Sequence, residues 1–86
     1  MPRVVLTKRA RDGRLRAHDR ARQAIDDAID QLALGLIEGA PLRGMMKEVF
    51  KMRVEDWRIL YESRSDGTMR ILRIAHRSEA YLSDPR

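Results

Sequence analysis

The sequence predicts an α+β domain of β-α-α-β-β-β order, with two N-terminal helices packed on one face of a small antiparallel sheet. Three observations predict it. A β-branched run, Arg3–Thr7, opens the chain. From Asp19 to Leu36 apolar residues recur at spacings of three and four. Beyond Leu42 the period drops to two, interrupted by two short polar breaks. At 86 residues the chain has the length of one small domain, 1–86, with one thin core.

"RVVLT" reads as a strand. In the basic stretch "KRARDGRLRAH" Gly13 weakens helix formation, but Ala10, Arg14 and Ala17 fit one or two helical turns. Asp19 is suited to cap a second helix. Ala21, Ala24, Ile25, Ala28, Ile29, Leu32, Ala33 and Leu36 then form one apolar stripe, with a solvated acidic back. "EGAP" closes this helix, with Gly39 just past its end and Pro41 beyond; Gly35 offers an earlier stop. "EVFKMRV" alternates, placing Val49, Lys51 and Arg53 on one side and Phe50, Met52 and Val54 on the other. Glu55–Asp56 is a tight polar break, "WRILYES" the next strand, Arg64–Gly67 a hairpin turn with Asp-Gly at its tip, and "TMRILRIAHR" the last strand. Residues 83–86 read as a frayed tail.

Composition narrows the function. With 18 Lys and Arg against 13 Asp and Glu, the net charge is +5 and the pI about 10.4. A domain this basic favours polyanions, nucleic acid first among them. The middle is the exception: residues 19–40 carry Asp19, Asp26, Asp27, Asp30 and Glu38 against Arg20 and Arg22. Cysteine is absent, which excludes disulfides and thiolate metal sites. "MPRVVLTKRAR" lacks a signal-peptide apolar run, and "QLALGLI" is far short of the ~20 residues that cross a bilayer. A cytoplasmic protein without a membrane partner is the expectation.

The candidate site is cationic. Lys51 and Arg53 share a strand face, Arg58 starts the next strand, and His76 and Arg77 end the last. Adjacent strands lie about 4.8 Å apart, so these side chains can gather into a cluster that repels itself unless an anion visits. Glu48, Glu55, Glu62 and Glu79 are the available counter-charges. No glycine-rich phosphate loop and no metal-ligand spacing is present, so neither metal nor cofactor is expected. Two activities remain open on chemistry alone. One is passive nucleic-acid binding. The other is RNA cleavage by attack of a ribose 2′-hydroxyl on the adjacent phosphate, which requires alignment, proton transfer and cations on the developing charge. His76 has the intrinsic pKa for proton transfer near neutrality, and Tyr81 can stack on a base.

Four pieces, in order and spacing, carry a family likeness: Leu42-Arg43-Gly44, Lys51-Met52-Arg53, Trp57-Arg58-Ile59-Leu60-Tyr61 and His76-Arg77-Ser78-Glu79-Ala80-Tyr81. The stretch resembles the RelE/ParE superfamily of bacterial toxins from type II toxin–antitoxin modules. The close likeness covers about half the chain, and the strand and helices before it follow the family layout more loosely. The resemblance implies a RelE-like toxin that enters the ribosomal A site and cuts mRNA as a metal-independent endoribonuclease, inhibiting translation and arresting growth. It implies catalytic positions at Lys51, Arg53, Arg58, Arg77 and Tyr81. Lys51 or Arg53 would assist proton removal or hold the phosphate, Arg58 and Arg77 would stabilise the transition state, and Tyr81 would stack on a base. His76 is a candidate acid or base; Lys47, Arg43 and Arg73 are candidate RNA contacts. Arg53 stands where some members have lysine, and arginine is a poor base, so the base stays open. The acids of the Glu55–Asp56 turn are placed to pair with Arg58. The implied partners are a cognate antitoxin, the ribosome and mRNA, with operator DNA reached only through the antitoxin complex. The alternatives within the superfamily are a ParE-like toxin acting on DNA gyrase and a degenerate member that only binds its antitoxin. Retention of the basic and tyrosine set favours the nuclease.

Overall fold

A computed structural model describes residues 3–42 and 49–78. Its elements run β1 (Val4–Leu6), α1 (Lys8–Arg16), α2 (Asp19–Ala33), β2 (Ala40–Pro41), β3 (Val49–Val54), β4 (Trp57–Ser63) and β5 (Met69–His76). The strands form one sheet in the order β1-β5-β4-β3-β2, with both helices on one face. The α+β class and the helix-on-one-face layout are as the sequence predicts.

Two features of the sheet differ from the expectation. First, β1 pairs with β5 in parallel, Val4 opposite Met69 and Leu6 opposite Ile71, so the sheet is mixed. Periodicity identifies a strand but not its partner or direction; here the two helices carry the chain across the sheet before the meander returns to β1. Second, Ala40–Pro41 adds a short edge strand against β3. Proline lacks an N–H, and an edge is where a sheet tolerates it.

The helices begin and end on specific side chains. Thr7 caps α1: its hydroxyl accepts the Ala10 N–H at 3.1 Å and donates to the Leu72 carbonyl at 2.9 Å, tying the helix start to β5. Gly13 is fully inside this helix for a packing reason. A Cβ there would overlap the Ile74 carbonyl oxygen and lie 2.8 Å from its carbon, so α1 rests on the β5 backbone where only glycine fits. At the C-terminus of α1, Arg22 donates to the Arg14 carbonyl at 3.2 Å and the Ala17 carbonyl at 2.7 Å, satisfying acceptors the helix leaves open. Arg14 reaches Asp26 of α2 in a two-pronged pair at 2.8 and 2.7 Å. That hydrogen bond holds the Asp26 carboxyl below its ordinary range, against the opposing effect of burial.

The cap of α2 is His18, not Asp19: its Nδ1 accepts the Ala21 N–H at 3.2 Å, leaving Asp19 in the first turn. The helix ends at Gly35, not Gly39. Gly35 takes φ +76, its N–H bonds the Leu32 carbonyl, and the Leu36 N–H reaches back to Gln31. This is a Schellman ending, and a left-handed residue is what it needs. Leu36 therefore leaves the stripe and is 70 % exposed. Gly39 has another role. Its N–H donates to the Tyr61 hydroxyl at 2.8 Å, and a Cβ would come within 2.7 Å of that oxygen.

The core lies between the helices and one sheet face. Ile25, Ile59, Ile71 and Ile74 have no exposed surface, each contributing about 1.5–3 kcal/mol of burial. Ile71 and Ile74 are three residues apart, so strict alternation would set them on opposite faces. A register shift resolves this: Leu60 pairs with Arg73 and Tyr61 with Ile71, leaving Leu72 as the extra residue of a bulge. The β4–β5 hairpin closes as the sequence predicts, with Gly67 at φ +91 and Asp66 Oδ1 accepting the Thr68 N–H at 2.9 Å.

Candidate nucleic-acid interface

Alternation on β3 sends Phe50, Met52 and Val54 to the helix-side core and Lys51 and Arg53 to the opposite, open face. Register carries the open face across the sheet. Arg53 stands directly opposite Arg58, and Lys51 lies in the row of Leu60 and Arg73. Two like charges facing each other across neighbouring strands are unfavourable unless other groups compensate them.

Two adjoining cavities sit at this row. Ala40, Lys51, Met52, Arg53 and Arg58 line one of about 180 Å³. Arg53, Arg58 and Arg77, with Glu55, Asp56 and Trp57, line a tighter one of about 90 Å³. Arg53 and Arg58 border both. The tight turn holds Arg77 in place: the Arg77 N–H donates to the Asp56 carbonyl at 2.7 Å. Glu55 in that turn adopts φ 55, a conformation that non-glycine residues rarely take. The two turn acids line the tighter cavity together with the arginines.

The other expected residues divide. Arg73 is in register with Lys51 but only 9 % exposed, so most of it is packed within the fold. His76 lies opposite Trp57, a core residue, and the rings meet edge-on at 5.4 Å and 86°. It thus belongs to the helix side, the reverse of the face that bears Arg53 and Arg58. Arg43, Lys47 and Tyr81, with the counter-charges Glu48 and Glu79, lie outside the described residues. Glu62 is committed elsewhere: its Oε1 lies 3.6 Å from Arg64 and 3.5 Å from Arg70, near them in charge but outside hydrogen-bond geometry.

Tyr61 supports the site from below. Its ring stacks on Phe50 at 5.4 Å, and its hydroxyl anchors Gly39, next to Ala40 of the larger cavity. Burial raises the Tyr61 pKa. Sequence reading missed the Asp56 carbonyl that positions Arg77 and the Trp57–His76 contact. The signal for both was register: a two-residue turn after Val54 sets Trp57 opposite the end of β5 only once the Leu72 bulge is counted. Among the described residues, no group of three or more metal-ligating side chains occurs. No helix among them is long and apolar enough to cross a membrane.

Known proteins resemble the chain along nearly its whole length. The model of the family described as the ParE toxin of the type II toxin–antitoxin system parDE matches residues 4–81. The toxin–antitoxin complex RelBE2 from Mycobacterium tuberculosis contains a chain 30 % identical, covering 90 % of this chain and 100 % of that one, with a TM-score of 0.74. The intact RelBE toxin–antitoxin complex of E. coli gives a TM-score of 0.77 at 15 % identity, covering 88 % and 96 %. A metal-bound toxin from Helicobacter pylori gives 0.78 at 17 %, covering 92 % and 98 %. No curated protein sequence matches the chain significantly.

Proposed function

The chain belongs to the ParE toxin family of type II toxin–antitoxin systems, and we propose that it is a cytoplasmic toxin that cuts mRNA on the ribosome. The observation that carries this reading is the cross-strand pair Arg53–Arg58 at the border of two cavities that also hold Lys51 and Arg77. A row of cations bordering two cavities fits an anion that spans it, and a phosphodiester backbone does so.

In the proposed reaction the 2′-oxygen attacks the adjacent phosphorus. The P–O2′ bond forms and the P–O5′ bond breaks, leaving a cyclic phosphate and a 5′-hydroxyl protonated from water. Arg53, Arg58 and Arg77 bear the growing negative charge, each able to bridge two phosphate oxygens. Lys51 is the amine of the group. Guanidinium groups make poor bases, so the lysine is the side chain of the four better suited to assist removal of the 2′-proton. Tyr81, by the family resemblance, stacks on a base.

The partner follows from the relatives. RelB–RelE complexes are known from E. coli, M. tuberculosis, Pyrococcus horikoshii and Methanococcus jannaschii, and a cognate antitoxin is the corresponding partner here. A protein with one thin core gains stability from any partner that binds only the folded state. Operator DNA would be met through that complex.

Primer extension on translated mRNA, from cells induced for the chain, tests the reading. Codon-positioned cuts are expected, abolished by Arg77→Ala in soluble, folded protein. The matched family is named for ParE, which favours gyrase poisoning as the second reading. Intact mRNA together with trapped gyrase–DNA complexes would replace the nuclease by that activity.

A further inference from the structure

The chain has two histidines, and both hold the start of a helical turn by the same ring atom. His18 Nδ1 accepts the Ala21 N–H at 3.2 Å. His76 Nδ1 accepts the Ser78 N–H at 3.4 Å and lies 3.1 Å from Ser78 Oγ. Residues 77 and 78 are helical, so His76 stands where an N-cap stands. An Nδ1 that accepts an N–H does so through its lone pair. The rest of the ring is braced edge-on against Trp57. Between these anchors lies Arg77, its own N–H bonded to the Asp56 carbonyl and its side chain lining the cavity of Arg53 and Arg58.

We infer that His76 is a positioning residue for Arg77: its Nδ1 caps the turn that carries the arginine, and it exchanges no proton with the substrate. The ring lies on the helix side of the sheet with Trp57, whereas the cations occupy the other side, so a proton path from imidazole to cavity would have to cross the sheet. The inference rests on the toxin site proposed above, but not on what that site attacks.

Side-chain isosteres test it. In His76→Asn the Oδ1 takes the place of Nδ1, and asparagine is among the best N-caps. In His76→Gln the oxygen falls nearer the Nε2 position. Growth arrest on induction and mRNA cleavage are measured for both, with His76→Ala and Arg77→Ala, at matched soluble protein. Asparagine is expected within about threefold of the parent, and glutamine and alanine about five- to tenfold lower, the size of a lost cap. Asparagine as deficient as alanine would overturn the inference, as would an Arg77→Ala chain that still arrests growth. If His76→Ala is insoluble, the asparagine–glutamine comparison decides. Arrest without mRNA cleavage sinks the nuclease reading, while the ranking in arrest still judges His76.

Discussion

Replacing Gly13 by alanine sets two physical effects against each other. Alanine is favoured over glycine inside a helix by about 1 kcal/mol, so helix propensity alone predicts a more stable protein. The structure predicts the reverse. The new methyl would overlap the Ile74 carbonyl oxygen and sit 2.8 Å from its carbon. These are backbone atoms of Ile74, a fully buried residue of β5, and cannot rotate away. Relief requires α1 to lift off the sheet, loosening Ala10 and Ala17, which are 0 % and 2 % exposed, from Ile71 and Ile74. Overpacking costs typically 1–3 kcal/mol, and a backbone obstacle places this case near the upper end, about 3 kcal/mol. The net loss is then about 2 kcal/mol. With a urea slope of roughly 1.3 kcal/mol per molar, the midpoint falls by about 1.5 M. Equilibrium urea unfolding in an Arg77→Ala background, chosen so that cells tolerate expression, measures it. A midpoint equal to or above that of the parent would refute the packing argument.

Three further outcomes follow from the same contacts. Tyr61→Phe removes the acceptor of the Gly39 N–H, costing about 1 kcal/mol and speeding hydrogen exchange at the Gly39 amide; unchanged exchange would mean that this bond does not hold the loop. Asp26 has a lowered pKa through Arg14, so its stabilisation is present above the ordinary carboxylate range and is lost as pH falls through the folded value. The difference between the parent and Asp26→Asn should be below about 1 kcal/mol near pH 7, because both groups of the pair are about a third exposed (34 % and 37 %), and should vanish at strongly acid pH. Lys51→Arg keeps the charge but not the proton acceptor, so RNA affinity should persist while cleavage drops by about 10²-fold or more; full cleavage would remove Lys51 as base.

Much of this architecture is legible in the residues, because periodicity reports burial directly. The α2 stripe and the β3 alternation both describe which side chains leave water, and both appear in the structure. What periodicity cannot report is pairing. Nothing in "VVL" says that it will lie parallel to β5, and nothing local marks Ala40–Pro41 as a strand. Capping was harder still. Thr7 and His18 act through the residues three positions on, and Asp19 looked the better cap by composition alone. Gly13 read as a weak point, yet it serves a close approach, and Gly35, read as an earlier stop, is the left-handed ending. At the candidate site, the shared face of Lys51, Arg53 and Arg58 was legible because strand alternation and short turns fix it. The burial of Arg73 was not legible, because a bulge and a buried setting are tertiary facts. His76 was drawn to the wrong side of the sheet by its sequence neighbour Arg77, when one residue along a strand is the distance between two faces.

The acidic back of α2 has a consequence for how the molecule approaches a target. Asp19, Asp27 and Asp30 are exposed on the helix layer, while Lys51, Arg53 and Arg58 belong to the far side of the sheet. Even the shortest dimension of the molecule is 22 Å, and fields fade over about 8 Å at physiological salt. The two faces therefore hardly see each other: the acids do not dilute the field over the cationic row. The helix layer is not acidic throughout, however, because α1 brings Lys8, Arg9, Arg11, Arg14 and Arg16 to it. A polyanion therefore meets positive charge on the sheet face and along α1, and is turned away only from the acidic back of α2.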